Sequence, residues 1–282
     1  LRETGQTVIP MVTGFVAVFT NCALNYILIF GKFGAPALGA EGAAIATVIS
    51  RYVECAVFIT YVFIKRKAYP FFKGAFKSLY IPKQLFKNVT ARGLPLLFNE
   101  FLWAAGMAFL TQRYSIRGLD VVAATNISQT FFNVFSVAFM AVGAAIGIVL
   151  GQLLGANKTK EAHKASFKLI AFSVFISTIV ASLYFICAKY IPAIYETSDS
   201  VKSLATDLMR ITAIAMPIDA FANATYFTLR SGGKTGITFI FDSGFVWIIS
   251  VPLAFVLSRF TAVPIIPMYA AICSADILKC IL

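Results

Sequence analysis

The sequence predicts an all-α polytopic membrane protein. Three observations carry that prediction: a composition too apolar for a soluble domain, apolar runs of bilayer-spanning length, and basic residues gathered on one side of the resulting topology. Of 282 residues, 59% are hydrophobic and 13% charged, whereas a soluble domain carries roughly 25% charged residues. Phenylalanine is abundant, with 28 residues against two tryptophans, which suits lipid-facing helices.

A helix needs about 20 mostly apolar residues to cross the hydrocarbon core. The first run, 8–30, ends at the glycine-rich turn GKFGAPALGAEG, and the second covers 42–64. A long connection, 65–92, follows, with two prolines and aromatics among its lysines. It reads as an amphipathic segment on the membrane surface. Runs three to eight are 93–112, 121–150, 167–189, 204–228, 236–258 and 263–282. Short polar stretches such as YSIRGLD and GANKTKEAHKA separate them. The domain organisation expected is therefore helices over 1–64, a cytoplasmic linker over 65–92 and a six-helix bundle over 93–282.

Lys and Arg set the orientation. Arg2, the cluster from Lys65 to Arg92, Lys158 to Lys168, Arg230 and Lys234 put fifteen on one side; Lys32, Arg113, Arg117, Lys189, Lys202 and Arg259 put six on the other. The rich side is expected to be cytoplasmic. The net charge of +12 then reflects topology and contact with anionic lipid headgroups, and no nucleic acid is expected as a partner. The localisation expected is the bacterial plasma (inner) membrane.

The stretch LRSGGKTG, 229–236, looks like the end of a phosphate-binding loop. That pattern needs a glycine five residues before the Gly-Lys pair, where Thr228 stands, and the preceding residues read as helix. A repeat explains the stretch better: LRETGQT at 1–7 and LRSGGKT at 229–235 share Leu, Arg, Gly and Thr in register, and an apolar span follows each. Same-sense copies imply two halves related by an axis along the membrane normal. The period of 228 residues implies a protein near 456 and twelve helices, with eight present here and four missing in front.

Ionisable groups inside spans are costly and are functional candidates by default. Glu100 in LLFNEFLW, Asp219 in MPIDAFAN and Asp242 in FIFDSGF lie ~9–15 Å from the cytoplasmic ends of three spans, counted at 1.5 Å per residue. No cation in that slab is an evident partner for Glu100 or Asp219, so Na⁺ or H⁺ is the expected countercharge. Asp242 also suits the positive end of a helix start. Arg51 and Glu54, three apart, are expected to neutralise each other.

Asn21 and Asn25 share a helix face and suit either cation or substrate coordination or helix association. Pro10, Pro95, Pro217 and Pro252 fall inside spans and free backbone carbonyls there. His163 is expected in a solvated loop. The five cysteines form no C-x-x-C pair and read as small buried hydrophobes. No nucleophile–base pair or metal-ligand cluster appears, so the chain is not expected to be an enzyme, and it needs no cofactor beyond the coupling ion.

At these residues the chain resembles the multidrug and toxic-compound extrusion (MATE) family. NYILIFGKFGAPALGAEGAAIATVISRYVE resembles the family's fifth and sixth helices, GLPLLFNEFLW its seventh, GQLLGANKTKEAHKA the exit of its eighth, and LRSGGKT with the following VWIISVPLAF its eleventh. The resemblance implies a twelve-helix, two-lobe transporter of which helices five to twelve are present. It implies export of amphipathic organic cations against Na⁺ or H⁺ by alternating access, from a monomer. It implies Glu100 and Asp219 as coupling residues and Na⁺ ligands. The family's acid near Asn25 is here an amide. Phe98, Asn99, Trp103, Phe131, Phe132 and Tyr226, with Asn21 and Asn25, would line the cavity, where aromatic faces bind flat cations. A lipid-linked saccharide flippase of the same superfamily should instead line its cavity with Arg or Lys. A non-transporting scaffold or fragment should tolerate loss of Glu100.

Overall fold

The computed structural model describes residues 7–65, 80–233, 235–261 and 263–281. Among them, every expected span is a helix: α1 (Val8–Phe30), α2 (Ala40–Ile64), α3 (Lys83–Ser115), α4 (Leu119–Gly155), α5 (Thr159–Cys187), α6 (Asp199–Ser231), a composite of α7 (Thr235–Phe239) and α8 (Val251–Phe260), and α9 (Ile265–Ile281). Six are long and apolar enough to cross a membrane. α6 has 33 residues but carries Asp207, Arg210, Asp219 and Arg230; α9 has 17 residues.

The chain divides into two compact units, Leu1–Pro82 and Lys83–Leu282. In the first, α1 packs on α2. α1 stops at Gly31, whose left-handed backbone (φ 63°) turns its N–H back to Ile27 O, the glycine-terminated helix end that a Cβ would strain. Gly42 lies so close to α1 that a Cβ there would meet Leu28 O at 2.7 Å.

In the second unit α4, α5 and α6 share the main core, built around Phe139, Tyr184, Leu208, Met209 and Met216. Small residues let the helices approach, as expected where apolar lipid supplies no drive for helix association. A Cβ on Gly143 of α4 would fall on Asn223 Oδ1 of α6. A second core joins α3, α8 and α9 through Leu110, Tyr114, Ala254 and Met268.

Several expectations change. α3 begins at Lys83, so 83–92, expected within the 65–92 connection, is helix continuous with the third span; 66–79 lie outside the described residues. Polar residues Lys83, Gln84 and Asn88 extend the helix beyond its apolar run because backbone hydrogen bonding does not need an apolar side chain. For the same reason α5 starts at Thr159, which puts His163 in a helix; it is exposed there, as expected. Pro10 sits in the first turn of α1, where its missing N–H would have had no helical partner anyway. Pro95 and Pro217 do lie in helix interiors. Arg51 and Glu54 pair at 2.7 Å. Gly232 caps α6 and Gly233 takes φ 76°, so the LRSGG stretch is a helix end and turn; Lys234 is outside the described residues.

Candidate functional site

The site is a polar seam through the second unit, and helical spacing builds it. On α6, Thr212, Asp219, Asn223, Tyr226 and Arg230 recur at intervals of seven, four, three and four, which stacks them on one face. On α9, Tyr269, Cys273, Asp276 and Cys280 do the same. α6 and α9 pack together, and the Thr212 and Tyr269 hydroxyls share a hydrogen bond of 3.0 Å.

α7 and α8 are joined by π-helical turns over Ile240–Gly244 and Val246–Ser250. Such turns widen a helix and recur at functional sites. Here they carry Asp242 and Ser243. Asn99 Nδ2 of α3 donates to Asp242 Oδ2 at 2.8 Å. The buried Ser243 hydroxyl reaches Asn99 O at 2.6 Å and Asn99 Oδ1 at 2.8 Å. Asn99 is 2% exposed, so its donors and acceptor must be met by protein. Lys279 Nζ of α9 lies 3.5 Å from Asp242 Oδ1.

Glu100, the next residue on α3, turns the other way and is exposed. Its Oε1 accepts from the Tyr226 hydroxyl at 3.4 Å and lies 3.8 Å from Arg230 Nη1. Arg230 in turn stands over the Tyr226 ring, 5.9 Å from its centre. The expectation that Glu100 has no protein cation is thereby corrected: the helix-end arginine of the LRSGG stretch curls back to it.

Asp219 does not join Glu100. Its charged neighbours are Asp276 and Lys279. Among the described residues no group of three or more His, Cys, Asp or Glu side chains is arranged as a metal site. Among the described residues the seam thus holds four carboxylates (Glu100, Asp219, Asp242, Asp276) and two cations (Arg230, Lys279). That excess of acid favours uptake of further cations.

Asp276 and Lys279 escaped sequence reading because they fall at the end of the last apolar run. The signal was there in the α9 stripe, which continues from Tyr269 through Cys273 to Asp276. Of the expected lining residues, Phe98 and Trp103 are exposed, and Phe131 and Phe132 pack against the main core. In the first unit, Asn25 Nδ2 donates to Asn21 Oδ1 at 2.9 Å, and Asn21 Nδ2 reaches Thr47 and Ser50 of α2 at 3.4 Å. That geometry joins α1 to α2. The five cysteines are free thiols, Cys22 and Cys55 exposed and Cys187, Cys273 and Cys280 half-buried, which corrects the expectation that they are buried.

The MatE family model matches residues 95–256. The multidrug resistance protein NorM of Aliivibrio fischeri is 30% identical over 255 residues, 88% of this chain and 54% of its own length. The probable multidrug resistance protein NorM of Bacillus anthracis is 28% identical over 259 residues, 91% of this chain and 56% of its own. A mutant structure of the Vibrio cholerae MATE transporter VcmN superposes with a TM-score of 0.82 at 20% identity, covering 99% of this chain and 61% of that one. The chain spans about half the length of the curated relatives it matches.

Proposed function

This chain belongs to the MatE family, and on that premise we propose that the protein exports amphipathic organic cations in exchange for Na⁺ or H⁺ by alternating access. The observation that carries the reading is the acid excess in the seam of α3, α6, α9 and the π-helical turn, where among the described residues Glu100, Asp219, Asp242 and Asp276 stand against two cations, Arg230 and Lys279. Carboxylates left short of countercharge in a membrane interior call for an exchangeable cation. In this reading Glu100 and Asp219 serve the coupling ion, and a drug cation competes for the same negative charge. Tyr226 offers an aromatic face beside Glu100 for that cation. α1 and α2 belong to one lobe, and α3 to α9 form the other. The names of the relatives, multidrug resistance proteins, support the substrate class. The acid-rich seam runs against a flippase for anionic lipid-linked sugars, which would need basic lining.

Ethidium efflux by the complete natural protein tests this, in cells stripped of their own exporters, under an imposed Na⁺ gradient and separately a pH gradient. Efflux under one gradient, lost in Glu100→Gln, is expected and identifies the coupling ion. Efflux that survives Glu100→Gln unchanged removes Glu100 from coupling. No efflux under either gradient overturns the substrate class.

A further inference from the structure

Arg230, the cation of the LRSGG stretch, lies in the last turn of α6. Tyr226 stands four residues before it, on the same helix face. Side chains on a helix lean toward its N-terminus, so the guanidinium is carried back over Tyr226. Its central carbon is 5.9 Å from the ring centre, and Nη1 donates to the Tyr226 hydroxyl at 3.5 Å. That hydroxyl donates in turn to Glu100 Oε1 at 3.4 Å, and Arg230 Nη1 is 3.8 Å from the same oxygen. Phe227 packs nearly perpendicular to the Tyr226 ring, with centres 5.6 Å apart. A flat organic cation is therefore already seated between Tyr226 and Glu100, and it belongs to the chain. The pair is open to solvent: the Arg230 side chain is 39% exposed and that of Glu100 60%.

We propose that Arg230 is a built-in competitor for the drug cation: its guanidinium holds the Tyr226 face and the Glu100 charge until a substrate displaces it. This role rests on the exporter reading above and adds to it a residue that sets affinity and selectivity. An exposed ion pair is weak because water screens it, so an incoming ligand can break it. The displaced guanidinium is not stranded, since water solvates it and the C-terminal end of a helix favours a cation nearby. A cation that reaches only the Glu100 carboxylate leaves the guanidinium its ring. A flat aromatic cation replaces both contacts at once, so Arg230 tilts the site toward ligands that also cover Tyr226. A lysine in its place would keep the charge but lack the planar surface that stacks on a ring.

Equilibrium binding of ethidium to the complete natural protein, read by fluorescence anisotropy at fixed pH, tests this. Arg230→Gln and Arg230→Ala, which remove the charge, are expected to bind ethidium about threefold to tenfold more tightly than wild type, the scale of one exposed ion pair and one cation–π contact. Arg230→Lys should fall between wild type and Arg230→Gln. In a Tyr226→Ala background the gain from Arg230→Gln should shrink, because the ring that the two cations share is gone; an effect on the helix end alone would persist there. Unchanged or weaker binding by both neutral variants overturns the inference, as does a gain that is undiminished without Tyr226. If wild type binds ethidium and neither variant gains, the exporter reading stands and only the role of Arg230 falls. If no form binds ethidium, both fall.

Discussion

Asn99 and Asp242 are 143 residues apart in sequence and 2.8 Å apart between Asn99 Nδ2 and Asp242 Oδ2. The amide does two tasks at once. Its nitrogen holds the carboxylate, and its oxygen accepts the Ser243 hydroxyl. Together they pin the π-helical turn of 240–244 to α3, one residue from Glu100.

Asn99→Leu keeps the branched shape but removes the amide, leaving Asp242 with Lys279 and Ser243 with the backbone carbonyl of residue 99. The lost hydrogen bond to the carboxylate is worth about 1.5–3 kcal/mol and the neutral one about 0.5–1.5 kcal/mol. A lower unfolding temperature of the purified protein in detergent is expected, with Ser243→Ala milder because it removes the hydroxyl and its need together. Equal thermal stability of Asn99→Leu and wild type would contradict this role.

Tyr226 presents both a ring and a hydroxyl at Glu100. If the ring binds the drug cation, Tyr226→Phe should retain most of the affinity for ethidium, and Tyr226→Ala should lose several-fold, in line with about 0.5–2 kcal/mol for a cation over an aromatic face. Fluorescence anisotropy of bound ethidium reads both. Equal losses in the two variants would point to the hydroxyl instead.

The α4–α6 contact depends on Gly143, where any Cβ would fall on Asn223 Oδ1 and meet Phe227 Cδ2 at 3.0 Å. Gly143→Val should cost about 1–3 kcal/mol by overpacking and reduce the monodisperse fraction on size exclusion. Gly151→Ala, in open space on the same helix, should be neutral or slightly stabilising, since alanine is the better helix former. Identical behaviour of the two variants would refute the close approach.

Arg117 closes the far end of the same unit, donating through Nη2 to Leu257 O at 2.9 Å and Thr261 O at 2.8 Å. Leu257 O, in the last turn of α8, also accepts the Thr261 hydroxyl at 2.6 Å, and Thr261 is the residue that caps the helix. Arg117→Met should lose about 1.5–3 kcal/mol, the range for hydrogen bonds to a charged group, and Arg117→Lys should recover part of it. Hydrogen exchange at 257–261 is the direct readout; unchanged protection in Arg117→Met would remove the cap.

The sequence by itself determined the fold class, the helix order and the family, because apolar runs of bilayer length and charge-poor composition admit few alternatives. It also determined three intramembrane acids and the Arg51–Glu54 pair, since an i, i+3 spacing on one helix fixes proximity without tertiary information. Partners across helices were beyond its reach. Glu100 looked unpaired because Arg230 lies 130 residues further on, and α6 alone decides that its last turn points back to α3. The polar extensions of α3 and α5 were also hidden, because hydropathy reports where a helix meets lipid and not where its hydrogen bonds end. Asp242 read both as an intramembrane acid and as a helix-start carboxylate; its place in a π-helical turn bonded to Asn99 is visible only in the tertiary structure. Asp276 and Lys279 became part of the site only when α9 came to rest on α6. Helix packing brings together charges that a linear sequence keeps apart, and Coulomb energy depends on that separation in space.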